Sequence, residues 1–226
     1  MKKLILTLLP ALLLLGACNK LNTITYTGIE AGTISAGVFT TDGGTAMTVV
    51  GNEGKYDVTS SRRVLVSYES RPVTDPEHIE IDVLGLLDAG ILPPQRVEAL
   101  SEDPDGTALQ VSDAWFSKDY LNVLANFAGK DAAKHSFTAT YTVDEKGLVV
   151  RLLHESQQDT DAGALSCFLS LPIYDPILAY DQIAKSSGIK APYPADVTLQ
   201  WTSTTLDGGP LTLYERRGSY TPASAD

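Results

Sequence analysis

Basic residues, histidine and cysteine are all scarce in this chain. Its 226 residues carry 17 Lys and Arg against 28 Asp and Glu, a formal net charge of −11. Binding to a phosphate backbone depends on Lys and Arg displacing its counterions, so a chain this acidic excludes nucleic acid as a partner. Three histidines, His78, His135 and His154, are the whole supply of imidazole bases and imidazole metal ligands. Two cysteines, Cys18 and Cys167, cannot build a disulfide scaffold, so stability has to come from burial. A spanning helix needs about 20 apolar residues. The one long apolar run, Leu4 to Leu15, is shorter and contains Pro10. Catalytic and metal signatures are missing as well. GTISAG at Gly32 has its serine one place late for G-x-S-x-G. HESQQDTD, His154 to Asp161, lacks the second histidine of H-E-x-x-H, and EDPDG at Glu102 does not fit the calcium-loop pattern. No cofactor, metal site or catalytic residue is therefore expected.

What is present begins with an address. Met1, Lys2 and Lys3 precede the short apolar run, which ends in small residues, the layout of a secretory signal. Leu15-Gly16-Ala17-Cys18 resembles the lipobox of bacterial lipoproteins. The resemblance implies that residues 1–17 are a lipoprotein signal peptide, that Cys18 is acylated, and that 18–27 is a lipidated tether. Two or more acyl chains give stable attachment without a transmembrane helix. The membrane is then a partner through the lipid on Cys18, and the location is the cell envelope, at the outer membrane. No acid follows Cys18 before Glu30, and Asn19 is not an aspartate, so either face of that membrane stays open. Cys167 lies in phase with Leu165, Leu169 and Leu171 and reads as a small buried core residue.

Beyond the tether the dominant period is two. HIEID, SFTATYTV and VTLQW alternate apolar and polar residues, and TDGG, DEKG and LDGG separate such runs as turns. Strands are expected over Gly32–Thr41, Ala46–Gly51, Arg63–Glu69 and Ile79–Leu87. A second set covers Ala114–Phe116, Leu121–Phe127, Ser136–Val143, Leu148–His154, Leu165–Leu171, Val197–Thr202 and Leu211–Glu215. Between the sets, Pro93 to Gly106 holds three prolines and four acids and reads as a boundary. One helix is expected, capped by Asp175, with Pro176 in its first turn and Gly188 at its exit. Ile177, Tyr180 and Ala184 would share its buried face.

VSDAWFSKDYLNVLANF, Val111 to Phe127, resembles the signature region of the NigD-like bacterial lipoproteins. LYERRGSYTP from Leu213 and SSRRVLVSYE from Ser60 are similar to segments of that family. The resemblance implies a mainly β protein: an N-terminal OB-like β-barrel followed by a C-terminal β-sandwich, to which the residues add one short helix. The expected limits are 28–92 for the barrel, 93–110 for a linker and 111–226 for the sandwich. Asp175 to Asp196 is longer than the family pattern and reads as a lid, a binding edge or padding. No catalytic residue carries over.

The aromatics are the remaining site candidates. Trp115, Phe116, Tyr120 and Trp201 either contact a ligand, with glycan stacking conceivable, or fill the core. His78 reads as solvated, His135 as the residue opening a strand, and His154 as a satisfied core histidine. The expected function is a non-catalytic, lipid-anchored binding or accessory module for an envelope protein or a glycan. The alternatives are a bacteriocin-immunity-type lipoprotein, with the bacteriocin as partner, and a hydrolase with a dispersed site.

Overall fold

The structure is a computed structural model that describes residues 24–52, 54–157, 159, 163–188, 194–204 and 209–221. Cys18 and the signal sequence lie outside the described residues. The chain is mainly β. Its first five strands are β1 (Thr27–Ser35), β2 (Val38–Thr41), β3 (Ala46–Gly51), β4 (Arg62–Ser70) and β5 (Ile79–Ile91). They pair in the order β3-β2-β1-β4-β5, and β5 also pairs with β3 in parallel. The cyclic order 1-2-3-5-4-1 is that of the OB barrel, a five-stranded Greek key. Alternation explains the barrel interior: Ile34, Val64, Val66 and Ile81 point inward with Phe39, all fully buried.

The expected single strand over Gly32–Thr41 is instead a hairpin of β1 and β2. It turns at Ala36 and Gly37, with φ of 50° and 78°. Two central residues at positive φ are what a two-residue hairpin needs to match strand twist, and Asn-Gly is the usual sequence for it. Alanine stands in the asparagine position, so the turn carries no strong sequence signal.

The second half adds β6 (Gln95–Arg96), β7 (Gln110–Ser117), β8 (Tyr120–Ala128), β9 (His135–Asp144), β10 (Gly147–Ser156), β11 (Ala164–Pro172), β12 (Ala195–Ser203) and β13 (Thr212–Tyr220). Strands β7, β8 and β11 face a five-stranded sheet of order β13-β12-β10-β9-β6. Leu121, Val123 and Leu171 from one sheet meet Leu148, Val150, Leu152, Val197 and Leu199 from the other in the main core. Each such side chain contributes roughly 1.5–3 kcal/mol on burial. Cys167 packs against the same core, and burial pushes its thiol up to about 11.

Helix α1 (Tyr174–Ser186) joins β11 to β12 and buries Pro176, Ile177, Tyr180 and Ala184. Asp175 is not its cap. The helix starts at Tyr174, two residues earlier than expected, and its N-cap is Ile173, which makes no side-chain hydrogen bond. Ile173 is fully buried in the core, so packing rather than capping chemistry sets the start. Asp175 lies in the first turn, where its charge favours the helix dipole. Ile177 and Tyr180 belong to the sandwich core, so the helical part of Asp175–Asp196 is a packed element.

The barrel and the sandwich share one sheet. β5 continues to Ile91 and pairs in parallel with β11 over Ala89–Ile91, giving the eight-stranded order β3-β2-β1-β4-β5-β11-β8-β7. In a flat sheet β2 and β7, six places apart, would stand about 29 Å from each other at about 4.8 Å per strand. Yet Ser117 at the end of β7 hydrogen-bonds Asp42, the residue after β2. The sheet therefore curls until β7, at one end, reaches the residue after β2 near the other.

Candidate functional site

The curl of the sheet accounts for two of the four candidate aromatics. Trp115 stacks on Phe168 with ring centroids 5.9 Å apart and packs with Ala31, Leu65 and Leu124. The Tyr120 ring lies 3.9 Å under the Arg63 guanidinium. Arg63 in turn forms a two-pronged pair with Asp42, at 2.7 and 2.6 Å, and donates to Ser170 and Asn122. Both side chains belong to this internal seam. Phe116 faces the sandwich core against Tyr220, 5.6 Å between centroids. All four are half-buried, and of them Trp201 lines the groove described below. The four candidates are thus not one site.

Trp201 is the last apolar residue of the inward face of β12. Val197 and Leu199 on that face are sealed in the core, and Trp201 emerges where the core ends. Antiparallel register places it directly opposite Tyr214 on β13, and the two rings stack at 6.1 Å with 19° between their planes. The pair lines an open groove of about 740 Å³ at one end of the sandwich. Gln110 on β7, Phe127 and Asn126 on β8, and Ser203 on β12 also line it. Asn126 takes Ser166 Oγ as a donor at 2.7 Å through its carbonyl oxygen, while its amide nitrogen and the Gln110 side chain make no hydrogen bond among the described residues. Volume, aromatic lining and a few polar groups are the usual features of a small-molecule site.

Behind the groove lies a buried relay that the sequence did not signal. His135, expected simply to open a strand, is wholly enclosed. Its Nδ1 is 2.9 Å from His154 Nε2, and its Nε2 is 3.3 Å from Asp159 Oδ2. His154 Nδ1 faces the Ala108 carbonyl at 3.2 Å. Asp159 Oδ2 also accepts the backbone N–H groups of Lys130 and Asp131, at 2.8 and 2.7 Å. Phe127 and Phe137 pack on the imidazoles, with centroids 4.6 to 5.0 Å away. A side chain at Gly129 would collide with His135, so glycine is needed there.

The carbonyl of Ala108 can only accept, so His154 Nδ1 carries the hydrogen of this contact. Burial, and then the neighbouring His135, hold His154 below the ordinary histidine value.

Every imidazole nitrogen of His135 and His154 is engaged, and Ser156 Oγ donates to the Asp159 backbone carbonyl rather than to a ring. His78 is exposed and paired with Asp75 at 2.7 Å. Among the described residues no histidine is therefore placed to activate a nucleophile, and no cluster of three or more His, Cys, Asp or Glu could hold a metal ion. Among the described residues of the run at His154, only His154 and Asp159 join the relay, bridged by His135, which sequence spacing does not reveal.

No family model and no curated protein matches the sequence. Solved structures do. A NigD-like immunity protein from Bacteroides caccae aligns over 88% of this chain and 98% of its own, with TM-score 0.59 and 16% identity. A Bacteroides fragilis protein described as a lipoprotein aligns over 89% and 100%, also with TM-score 0.59 and 16% identity. A Bacteroides vulgatus protein of unknown function aligns over 88% and 93%, with TM-score 0.56 and 16% identity. The chain has the fold of the NigD-like proteins.

Proposed function

We propose that this chain is an exported, lipid-anchored protein of the bacterial outer membrane that works as a non-catalytic binding module. Its binding site is the groove at the end of the sandwich. The observation that carries this reading is the groove itself. It is the one place among the described residues where an aromatic pair, Trp201 and Tyr214, meets side-chain amides with unused hydrogen bonds. The lipobox supports the anchor at Cys18, and the fold shared with a protein described as a lipoprotein agrees with it. The engaged histidines argue against a hydrolase.

The test is a thermal-shift screen of the membrane-extracted protein against oligosaccharides, peptides and divalent cations. A ligand at 100 times its dissociation constant adds about 2.7 kcal/mol of stability. That stabilisation has to vanish when Asn126→Trp fills the groove. A ligand whose effect survives the filling places the site elsewhere, and silence across the panel removes the groove as a ligand site.

A second reading, bacteriocin immunity, is favoured by the structural likeness to a protein described as a NigD-like immunity protein. It requires that deletion of the gene sensitise cells to a bacteriocin. Unchanged sensitivity across bacteriocin-containing supernatants counts against it.

A further inference from the structure

We infer that the groove takes a neutral saccharide, with a sugar ring lying against the Trp201–Tyr214 pair. The inference rests on the groove being the binding site. The first reason is charge. Among the described residues lining the groove none is Lys, Arg or His, and the chain as a whole is strongly acidic. An anionic ligand would meet repulsion with no cation to offset it. Asp159 is the only carboxylate among the described lining residues, yet its side chain is 4% exposed and its Oδ2 is engaged by two backbone N–H groups and His135. It offers no counter-charge to a cationic ligand. What remains is neutral.

The second reason is the mixture of surfaces. The indole and phenol rings are nearly parallel and sit opposite each other on paired strands, so they form a fixed platform rather than a mobile pair. A pyranose presents an apolar face of C–H groups, which suits an aromatic face, and a rim of hydroxyls that both donate and accept. Among the described residues the amide nitrogen of Asn126 and both ends of the Gln110 amide are unused, and Ser203 Oγ makes only a 3.4 Å contact to the Thr204 carbonyl. These groups line the same groove as the aromatic pair and suit sugar hydroxyls. A purely apolar ligand would leave these amides unpaired on desolvation, at a cost.

The third reason concerns the strand edges. A peptide commonly binds by adding a strand to an open sheet edge. The two edge strands beside the groove, β7 and β13, are tied across by Arg216 to Asp113 at 2.9 Å and by Phe116 against Tyr220. The groove therefore offers mainly side-chain hydrogen bonds.

Tryptophan fluorescence tests the inference directly, because the chain has two tryptophans and only one of them, Trp201, lines the groove, while Trp115 packs in the seam. The protein is extracted in a non-glycosidic detergent. It is titrated with cellohexaose, maltohexaose, xylohexaose, mannohexaose and N-acetylchitohexaose, with hexagalacturonate and a pooled peptide library as comparators. Trp115→Phe isolates the Trp201 signal. If that variant does not fold, the wild-type signal minus that of Trp201→Phe serves instead.

The expected result is saturable quenching or a blue shift with at least one neutral oligosaccharide and none with hexagalacturonate. Trp201→Ala should weaken binding at least tenfold as read by isothermal calorimetry, Trp201→Phe less, and Gln110→Ala with Asn126→Ala severalfold, with circular dichroism unchanged. Silence with every sugar, but a response of Trp201 to peptides or hexagalacturonate, overturns the saccharide assignment and leaves the groove as a binding site. Silence with every probe overturns both.

Discussion

Arg63 on β4 grips Asp42 through both guanidinium prongs, with side chains 8% and 7% exposed, at the point where the eight-stranded sheet closes on itself. Ser117, Asn122 and Ser170 complete the cluster, so the charges are satisfied as well as paired. Removing one member leaves the other buried without a partner, which typically costs about 3–5 kcal/mol. Arg63→Met and Asp42→Ala should each lower stability by about that amount in urea denaturation. Arg63→Lys should also be costly, because an ammonium cannot reproduce the planar fork. The double replacement should cost less than the sum of the singles. Melting midpoints within error of wild type would show that the seam does not hold the two halves together.

The seam also shows where sequence reading stops. Period-two alternation exposed most strands, because one face of each is buried, and Gly188 and Ala184 marked the helix. Arg63, Asp42 and Ser117 belong to three separated segments, and nothing local in any of them signals the others. Trp115 illustrates the same limit. Its spacing was compatible with a core or a ligand, and only the curl of the sheet, which brings Ala31 and Leu65 to the same cluster, assigns it. Trp201 had the same composition signal as Trp115. What separates them is that β12 outruns the core by one inward position. The relay was hidden because His135, His154 and Asp159 are brought together by the β9–β10 hairpin and the residues after it, with Phe127 from β8 closing over them.

The relay predicts an acid limit to stability. His154 is held below its unfolded value of about 6.5 by burial and by its neighbour His135. The unfolded chain therefore takes up a proton there at a higher pH than the folded chain does. The contribution to stability is complete above about pH 6.5 and is lost as pH falls through the lowered folded value. The melting temperature should fall as the pH drops below about 6.5. His154→Gln should flatten that slope, even though the variant starts out less stable. The comparison is made in a His78→Gln background, which removes the exposed histidine. A slope that persists unchanged in His154→Gln would assign the effect elsewhere.

Cys167 should be silent to thiol reagents while the protein is folded. Burial raises its thiol to about 11, so the reactive thiolate is rare at pH 8. With Cys18 carrying lipid, reaction with a chromogenic disulfide reagent should release less than one thiol equivalent in buffer and one in denaturant. Rapid labelling of the folded protein would contradict the packing of Cys167 against the sandwich core. A second equivalent in denaturant would contradict acylation at Cys18.

The β1–β2 turn offers a stabilising substitution. Ala36 adopts φ of 50°, where a β-carbon crowds the following carbonyl and costs roughly 1–2 kcal/mol. Asparagine tolerates this region, and Asn-Gly is the preferred pair for a two-residue hairpin. The turn is held by backbone bonds from Ala36 and Gly37 to the carbonyls of Thr59 and Val58, at 3.0 and 2.8 Å, which a side-chain change leaves intact. Ala36→Asn should therefore raise stability by about 0.5–1 kcal/mol. Gly37→Ala should lower it by about 1 kcal/mol although nothing crowds the site, because its φ of 78° is itself the penalty. Opposite signs at neighbouring positions, read from urea midpoints with unchanged slopes, would establish that backbone strain alone is responsible. If both substitutions moved stability in the same direction, the turn would have a different geometry, and the register from Ser35 with Val38 to Gly32 with Thr41 would have to be redrawn.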